Sequence, residues 1–539
     1  MQDAVSEFPL TIPALITPRA EKLFAARPVI SRVGTGLHRS TWGEVVHRAR
    51  RLAGALRDLG IQPGDRVATF AGSTHRHLEA YLAVPSMGAV LHTVNINLAA
   101  EQVAYIVDHA DDAIVLCDRS LLADWRRIEP HLSRARRLVV LPDTDDAAQD
   151  GDALEYEALL AAAEPMAAWP SVAESAPAHT SYTTGTTGLP KGVVYSHRST
   201  VLQSFCTGLA DAEGLGSSET LLALVPLALS QVGLPFAAAL HGSALVLPGR
   251  DLSPAGVCEL VEKERPTVAV GFGAALPGLL AHWRDRRPDL SSLRRMVCGG
   301  SPVARPVSRA FEVEVGFPIV QVFGMTETSG HGSFSKLPAD VGGNASEETR
   351  GYYATSQGRP LPLVEMRIAD DAGAEQPWDG RAMGELQVRG PWVAREYAQE
   401  GSRPDKFMDG WLRTGDVAVI DELGYVRIVD RMKDLVKSAG EWISSLRVEE
   451  ELLGHQAVVE AAVVAVPDAT AGERPLACVV LRPQEDATVT GEQLREFLAA
   501  RLAPSWVPDT IELVAELPKT SIGKTDKKTL RARYAESRA

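Results

Sequence analysis

A chain of 539 residues, 45% hydrophobic and 23% charged, is too long for one compact core and predicts two or more globular domains. Its formal net charge of −14 excludes a general nucleic-acid binder, which would carry a basic surface, while leaving room for a local basic pocket. No stretch of roughly 20 uninterrupted apolar residues occurs, so no membrane span is expected.

Cys117, Cys206, Cys258, Cys298 and Cys478 are scattered, odd in number and form no C-x-x-C pair. That predicts reduced thiols and neither a disulfide framework nor a zinc site. Acids among Met1 to Glu7, with no long apolar run behind them, predict no signal peptide and a cytoplasmic location.

Val45, Val46, Ala49, Leu52, Ala53 and Leu56 recur at helical spacing and predict a helix over 42–59. Ile61-Gln62-Pro63-Gly64-Asp65 turns the chain into a buried strand from Arg66 to Phe70. A helix over 77–87 follows, then strands at 89–94 and 113–117. Residues 142–180 are rich in Asp, Ala, Glu and Pro and read as surface helix plus linker. Strands at 245–247, 268–270 and 296–298 resume the alternation with helices. Such alternation predicts an α/β fold with largely parallel sheets. Short alternating strands at 364–368 and 384–388 predict a β-rich subdomain over 360–430. The charged run Asp430-Arg431-Met432-Lys433-Asp434 marks a candidate domain boundary. Patterns at 448–453, 461–466, 478–481 and 491–502 then predict a small α+β module over 434–539. The large domain is expected over 1–430, and no internal repeat is visible.

Between the two runs of alternation lies Tyr182-Thr183-Thr184-Gly185-Thr186-Thr187-Gly188-Leu189-Pro190-Lys191-Gly192, with four Thr, three Gly and one Lys. Glycine lets a backbone approach a phosphate closely, successive N–H groups form an anion-binding concavity, and hydroxyls and an ammonium add donors. The bland alternative is a polar surface turn. A Walker A loop is excluded here, and Gly523-Lys524-Thr525 only imitates its end, because Pro518 stands where the first Gly belongs.

Further groups follow along the chain. Gln321-Val322-Phe323-Gly324-Met325-Thr326-Glu327 ends a strand with a ring, a Gly, a hydroxyl and a carboxylate. Thr414-Gly415-Asp416 reads as a second turn, Arg431 and Lys433 sit at the domain boundary, and Lys524 lies near the C-terminus. Taken singly, Phe323 reads as core, Glu327 as a solvated loop acid, Asp416 as a turn former and Lys524 as a surface Lys.

Together and in this order they resemble the adenylate-forming superfamily of acyl-CoA synthetases, luciferases and peptide-synthetase adenylation domains. The resemblance spans nearly the whole chain and includes Asn95-Ile96-Asn97-Leu98, Tyr195-Ser196-His197-Arg198-Ser199, Gln357-Gly358-Arg359-Pro360, Gly410-Trp411-Leu412-Arg413-Thr414-Gly415-Asp416 and Lys437-Ser438-Ala439-Gly440-Glu441-Trp442-Ile443-Ser444. The texture is nearest to medium-chain fatty-acyl-CoA synthetases. The resemblance implies an ATP-dependent, AMP- and pyrophosphate-forming ligase with Mg²⁺ and with CoA as second substrate. It implies that Thr183, Thr184, Gly185, Thr186, Thr187, Gly188 and Lys191 hold the β- and γ-phosphates. Glu327 is similar to the family's Mg²⁺ ligand, and Thr326 to the α-phosphate contact. Phe323, Gly324, Gly299, Gly300 and Ser301 would flank adenine, with Asp416 and Arg431 at the ribose. Lys524 would bridge carboxylate and α-phosphate. Lys433 stands at the family's hinge, 431–433, and Lys437, Ser438, Gly440 and Glu441 at its CoA channel. Gln231, Phe272, Met325 and His331 fall at the expected acyl pocket.

One region departs from the family. After Val225-Pro226, where an aromatic–His pair is usual, the chain reads Leu227-Ala228-Leu229-Ser230-Gln231. A smoother pocket wall is implied. It suits a medium-chain or aryl acid, or a changed acceptor: an amine, a carrier thiol, or a diazotase-like route from nitrite to an aryl amine. A non-enzymatic adenylate binder is the third reading, disfavoured by the presence of Glu327, Asp416 and Lys524. His331 also reads as an ordinary hydrogen-bonded loop residue. A homodimer is compatible with the sequence, which does not fix oligomeric state.

Overall fold

The structure, a computed structural model, describes residues 8–144, 153–183, 189–229, 233–337, 341, 345–370, 372–399, 403, 405–438, 441–468, 470–482, 489–520 and 525–536. Its first long helix, Trp42–Asp58, starts at a reciprocal cap: Thr41 Oγ1 accepts from Glu44 N and Glu44 Oε2 accepts from Thr41 N. Such a box satisfies two otherwise orphaned donors. Val45, Val46, Ala49, Leu52, Ala53 and Leu56 are all buried, each worth about 1.5–3 kcal/mol for the larger side chains.

The described residues form four sheets. A seven-stranded sheet runs Leu154–Glu155, Arg137–Leu141, Ile114–Asp118, Arg66–Phe70, Val90–Thr93, Pro177–Tyr182, Gly192–Ser196. Every neighbouring pair in it is parallel except the last, which is antiparallel. A nine-stranded sheet has a parallel centre, Ile319–Phe323, Arg295–Gly299, Val268–Phe272, Thr220–Ala223, Ala244–Leu247 and Pro28–Val33. Parallel strands need helices over their faces, and ligands bind at such sheets beyond the carboxyl ends of the strands. The antiparallel strands Glu365–Ala369, Gly384–Arg389, Trp411–Ile420 and Val426–Arg431 make the β-rich subdomain, with Phe407–Met408 on its edge. A fourth sheet begins at Val436–Ser438 and holds the long hairpin Val458–Asp468/Gly472–Leu481.

Two sequence expectations fail here. Pro177–Tyr182, expected as linker, is an internal strand buried from Ala178 onward. Its His, Thr and Ser side chains hide the usual apolar strand signature. Thr414-Gly415-Asp416 is not a turn but lies inside the ten-residue strand Trp411–Ile420. Gly415 takes φ +78 there and the ladder slips in register nearby. A glycine in that conformation kinks a strand and re-aims its neighbour. All five Cys are buried and free. Among the described residues no helix is long and apolar enough to cross a membrane.

Candidate active site

The Thr/Gly loop springs from the hairpin Pro177–Tyr182/Gly192–Ser196. Thr184, Gly185, Thr186, Thr187 and Gly188 lie outside the described residues, as do Gln231, Gly440 and Lys524. The loop's two ends are described and tied together. Thr183 N donates to Lys191 O at 2.9 Å, and Thr183 Oγ1 accepts from Lys191 N at 3.0 Å. A Cβ on Gly192 would stand 3.1 Å from the Tyr182 ring, so the small residue lets the hairpin close.

The strand Ile319–Phe323 leads into the turn that carries Thr326 and Glu327. Gly324 is required at its start, since a Cβ there would lie 1.8 Å from Gly330 O. Met325 N donates to Thr328 Oγ1, and Gly330 N to Met325 O. Phe323 is 7% exposed and packs in the main core. Gly299 and Phe272, ending adjacent strands, stand opposite one another in the register. Gly300 beyond takes φ +83, and a Cβ on Gly273 would meet Ser301 O at 2.9 Å.

Two tyrosines that sequence reasoning did not single out join the hairpin to this turn. Tyr195 OH donates to Thr326 O at 2.5 Å, and Tyr397 OH to Glu327 Oε1 at 2.5 Å. Burial, with Glu327 nearby, pushes the Tyr195 hydroxyl well above its ordinary value, so it remains a donor. The Lys191 ammonium stands over the Tyr397 ring, 4.8 Å from its centroid. Ala394 N donates to Glu327 O, fixing the backbone as well. Lys191 and Glu327 therefore meet at the Tyr397 phenol, and Tyr195 ties the neighbouring Thr326 to the hairpin.

Asp416 stands opposite Arg431 in the ladder and pairs with it at 3.2 Å. Thr414 Oγ1 accepts from Asp416 N and donates to Leu386 O. Glu385 takes Arg413 at 2.6 Å and Gly415 N at 3.2 Å. The strand Phe407–Met408 links this region to the tyrosine pair, since Phe407 meets Tyr397 edge-on at 5.2 Å.

His331 is buried and hydrogen-bonded through both ring nitrogens. Nε2 faces Glu213 Oε1 at 2.6 Å, and Nδ1 faces Gln203 Nε2 at 2.7 Å and Ser329 O at 3.0 Å. Burial pushes the imidazole down, yet the Glu213 carboxylate outweighs it and the net shift is upward. Met325 is partly buried.

In the C-terminal unit the hairpin Val436–Ser438/Glu441–Ile443 displays Lys437 and Glu441 at the surface. Lys437 Nζ stands 4.2 Å from the Trp442 ring centroid, and Glu441 accepts from Trp506 Nε1 at 3.0 Å. Ser438 is buried and Lys433 exposed. Polar bonds cross the 431–433 segment. Asp430 Oδ2 accepts from Ser445 N and Oγ, Ser445 Oγ accepts from Lys527 Nζ at 2.6 Å, and Lys527 pairs with Glu449 at 2.7 Å.

The AMP-binding enzyme profile matches residues 19–398, and the AMP-binding enzyme C-terminal domain matches 447–524. A long-chain-fatty-acid–CoA ligase of Thermus thermophilus is 44% identical over 96% of this chain and 94% of its own length. A medium-chain-fatty-acid–CoA ligase of Ectopseudomonas oleovorans is 38% identical over 97% and 95%. Among solved structures, the anthranilate CoA ligase AuaEII with anthranoyl-AMP superposes at TM-score 0.87 over 100% of both chains, at 23% identity. The amide bond synthetase McbA from Marinactinospora thermotolerans superposes at 0.82 over 96% and 99%, at 29% identity.

Proposed function

The chain belongs to the AMP-binding enzyme family, and from that premise we propose an ATP-dependent, AMP-forming CoA ligase acting on medium- to long-chain fatty acids. One oxygen of the acid's carboxylate attacks the α-phosphorus of ATP, the bond to the β-phosphate oxygen breaks, and pyrophosphate leaves acyl-AMP. The CoA thiolate then attacks the acyl carbonyl and AMP departs with the oxygen it gained. The two fatty-acid ligases at 44% and 38% identity favour an aliphatic acid over an aryl one.

The observation that carries this reading is the meeting of Lys191 and Glu327 at Tyr397, with the adjacent Thr326 held by Tyr195. Phosphoryl transfer asks a protein for positioning and for stabilisation of developing charge, more than for covalent help. Lys191 and the Thr183–Gly188 backbone would hold the β- and γ-phosphates, and Thr326 the α-phosphate. Asp416, supported by Arg431, would accept from the ribose hydroxyls, with Phe323, Gly324 and Gly299 to Ser301 around adenine. Lys524 would add charge at the reacting oxygens. Glu327 fits a hard cation: Tyr397 occupies Oε1, and Oε2 takes no hydrogen bond among the described residues. With no cluster of three or more metal-ligating side chains among those residues, this matches Mg²⁺ held by one carboxylate plus phosphate oxygens. Mg²⁺ bound there would neutralise phosphate charge. Lys437, Ser438, Gly440 and Glu441 would line the CoA entrance after movement about Lys433. Gln231, Phe272, Met325 and His331 would bound the acyl chain.

Product analysis tests the reading. ATP, Mg²⁺ and a panel of fatty and aryl acids are offered with CoA, with an amine, or with nitrite and an aryl amine. Acyl-CoA and AMP from the fatty acids with CoA are expected. Turnover only with an amine, or only with nitrite and an aryl amine, would replace the thiol by another acceptor.

A further inference from the structure

We propose that Lys406 is a further nucleotide-binding residue, its ammonium taking the phosphate next to the ribose in ATP and in AMP alike. The inference rests on the adenylating function above and extends its site. Lys406 immediately precedes the strand Phe407–Met408, whose pairing to Trp411–Ile420 fixes its backbone. Arg413 N donates to Lys406 O at 2.9 Å, so the side chain leaves from beside the kinked segment Thr414-Gly415-Asp416. On the other flank Phe407 meets Tyr397, the ring that holds Glu327. The ammonium thus lies between the ribose-side carboxylate, Asp416, and the phosphate-side carboxylate, Glu327.

That ammonium is mostly buried and under-partnered. Its hydrogen bond is to Thr414 O, at a long 3.3 Å, and no carboxylate closes a salt bridge onto it among the described residues. The carboxylates around it are already engaged: Glu327 by Tyr397, Asp416 by Arg431, Glu385 by Arg413. Burial pushes Lys406 down from its ordinary value, against the pull of Glu327, Asp416 and Glu385 and with Arg431 adding to the push. Removing a cation from water without a close counter-charge is costly, and a fold retains such a group where a ligand supplies the charge. An anion bound between ribose and metal site is the α-phosphate. Lys406 has three donors and a flexible stem, so it meets a phosphate as a movable point charge.

Titration calorimetry with ATP, AMP and adenosine, on the full chain and on Lys406→Met and Lys406→Arg, tests this. Lys406→Met should weaken ATP and AMP about tenfold or more, the worth of one hydrogen bond to a charged group. Adenosine affinity should be unchanged, and Lys406→Arg should recover part of the loss. Equal weakening of adenosine would show that Lys406 only braces the Thr414 segment, and unchanged ATP and AMP affinities would also overturn the proposal. Lys406→Gln, uncharged but still a donor, decides the matter if Lys406→Met does not fold. A wild type that bound none of the three would overturn the adenylating function itself.

Discussion

Tyr397 shows how much rests on single side chains. Its hydroxyl holds one oxygen of Glu327 and its ring faces the Lys191 ammonium. Tyr397→Phe keeps the ring and removes the bond. Pyrophosphate release should slow about tenfold, since a hydrogen bond to a charged group contributes roughly 1.5–3 kcal/mol. The Mg²⁺ concentration for half-maximal rate should rise as Glu327 loses its orientation; an unchanged Mg²⁺ dependence would remove Tyr397 from that role. The His331–Glu213 pair makes a second prediction. A folded-state value raised above the unfolded one means that the pair stabilises fully below the unfolded imidazole value. That contribution is lost as pH rises through the folded value. Glu213→Gln should therefore cost most stability in acid, and its gap to the wild type should narrow as pH rises above the ordinary imidazole range in urea titrations. A gap independent of pH would contradict the coupling. Glu327, Asp416 and Lys191 stand out in the sequence as candidates because each sits in a short ordered motif. Tyr397 and Lys406 do not: no spacing marks them, and only the contact of Phe407, next to Lys406, with the Tyr397 ring links them.

Elements were legible where burial writes itself into the residue types. The helix 42–59 and the strands at 66–70, 113–117 and 268–270 follow apolar patterning and are present within a residue or two of those bounds, save two added at the end of the last. Pro177–Tyr182 escaped because its hydroxyl and imidazole side chains are polar in type yet buried, His179 Nε2 facing Thr200 Oγ1 at 3.0 Å for example. The Gly415 kink escaped because a glycine beside an Asp reads as a turn whether it ends a strand or bends one. Gly324 carries the clearest steric demand of the site. Gly324→Ala would force its Cβ against Gly330 O, and the turn holding Thr326 and Glu327 must shift. Adenylation should fall by orders of magnitude while the far-UV circular dichroism spectrum stays close to wild type. Full activity in this variant would mean that the turn has slack which the packing denies.

At the scale of the whole molecule, polar bonds join residues on the two sides of the 431–433 segment. Lys527, three residues beyond Lys524, is nearly buried between Glu449 and Ser445, and Ser445 in turn holds Asp430 on the other side of the proposed hinge. Breaking a buried pair from one side leaves an uncompensated charge and costs about 3–5 kcal/mol, whereas replacing both partners by apolar groups costs far less. Lys527→Met should lower the urea midpoint of the C-terminal unit, and Lys527→Met with Glu449→Leu should recover most of it. Equal loss in both would place the stability elsewhere than in the charge pairing. The bonds also bear on catalysis, because a rotation about Lys433 has to release Asp430 from Ser445. The proposed cycle of two half-reactions on one nucleotide requires such movement.

The central claim is that AMP is joined to an oxygen of the acid. The most direct measurement supplies a fatty acid whose carboxylate carries a heavy oxygen isotope, with ATP, Mg²⁺ and CoA, and follows the label by mass spectrometry. One labelled oxygen should appear in AMP and none in pyrophosphate. Label in pyrophosphate or in free phosphate, or AMP released without label, would contradict the account.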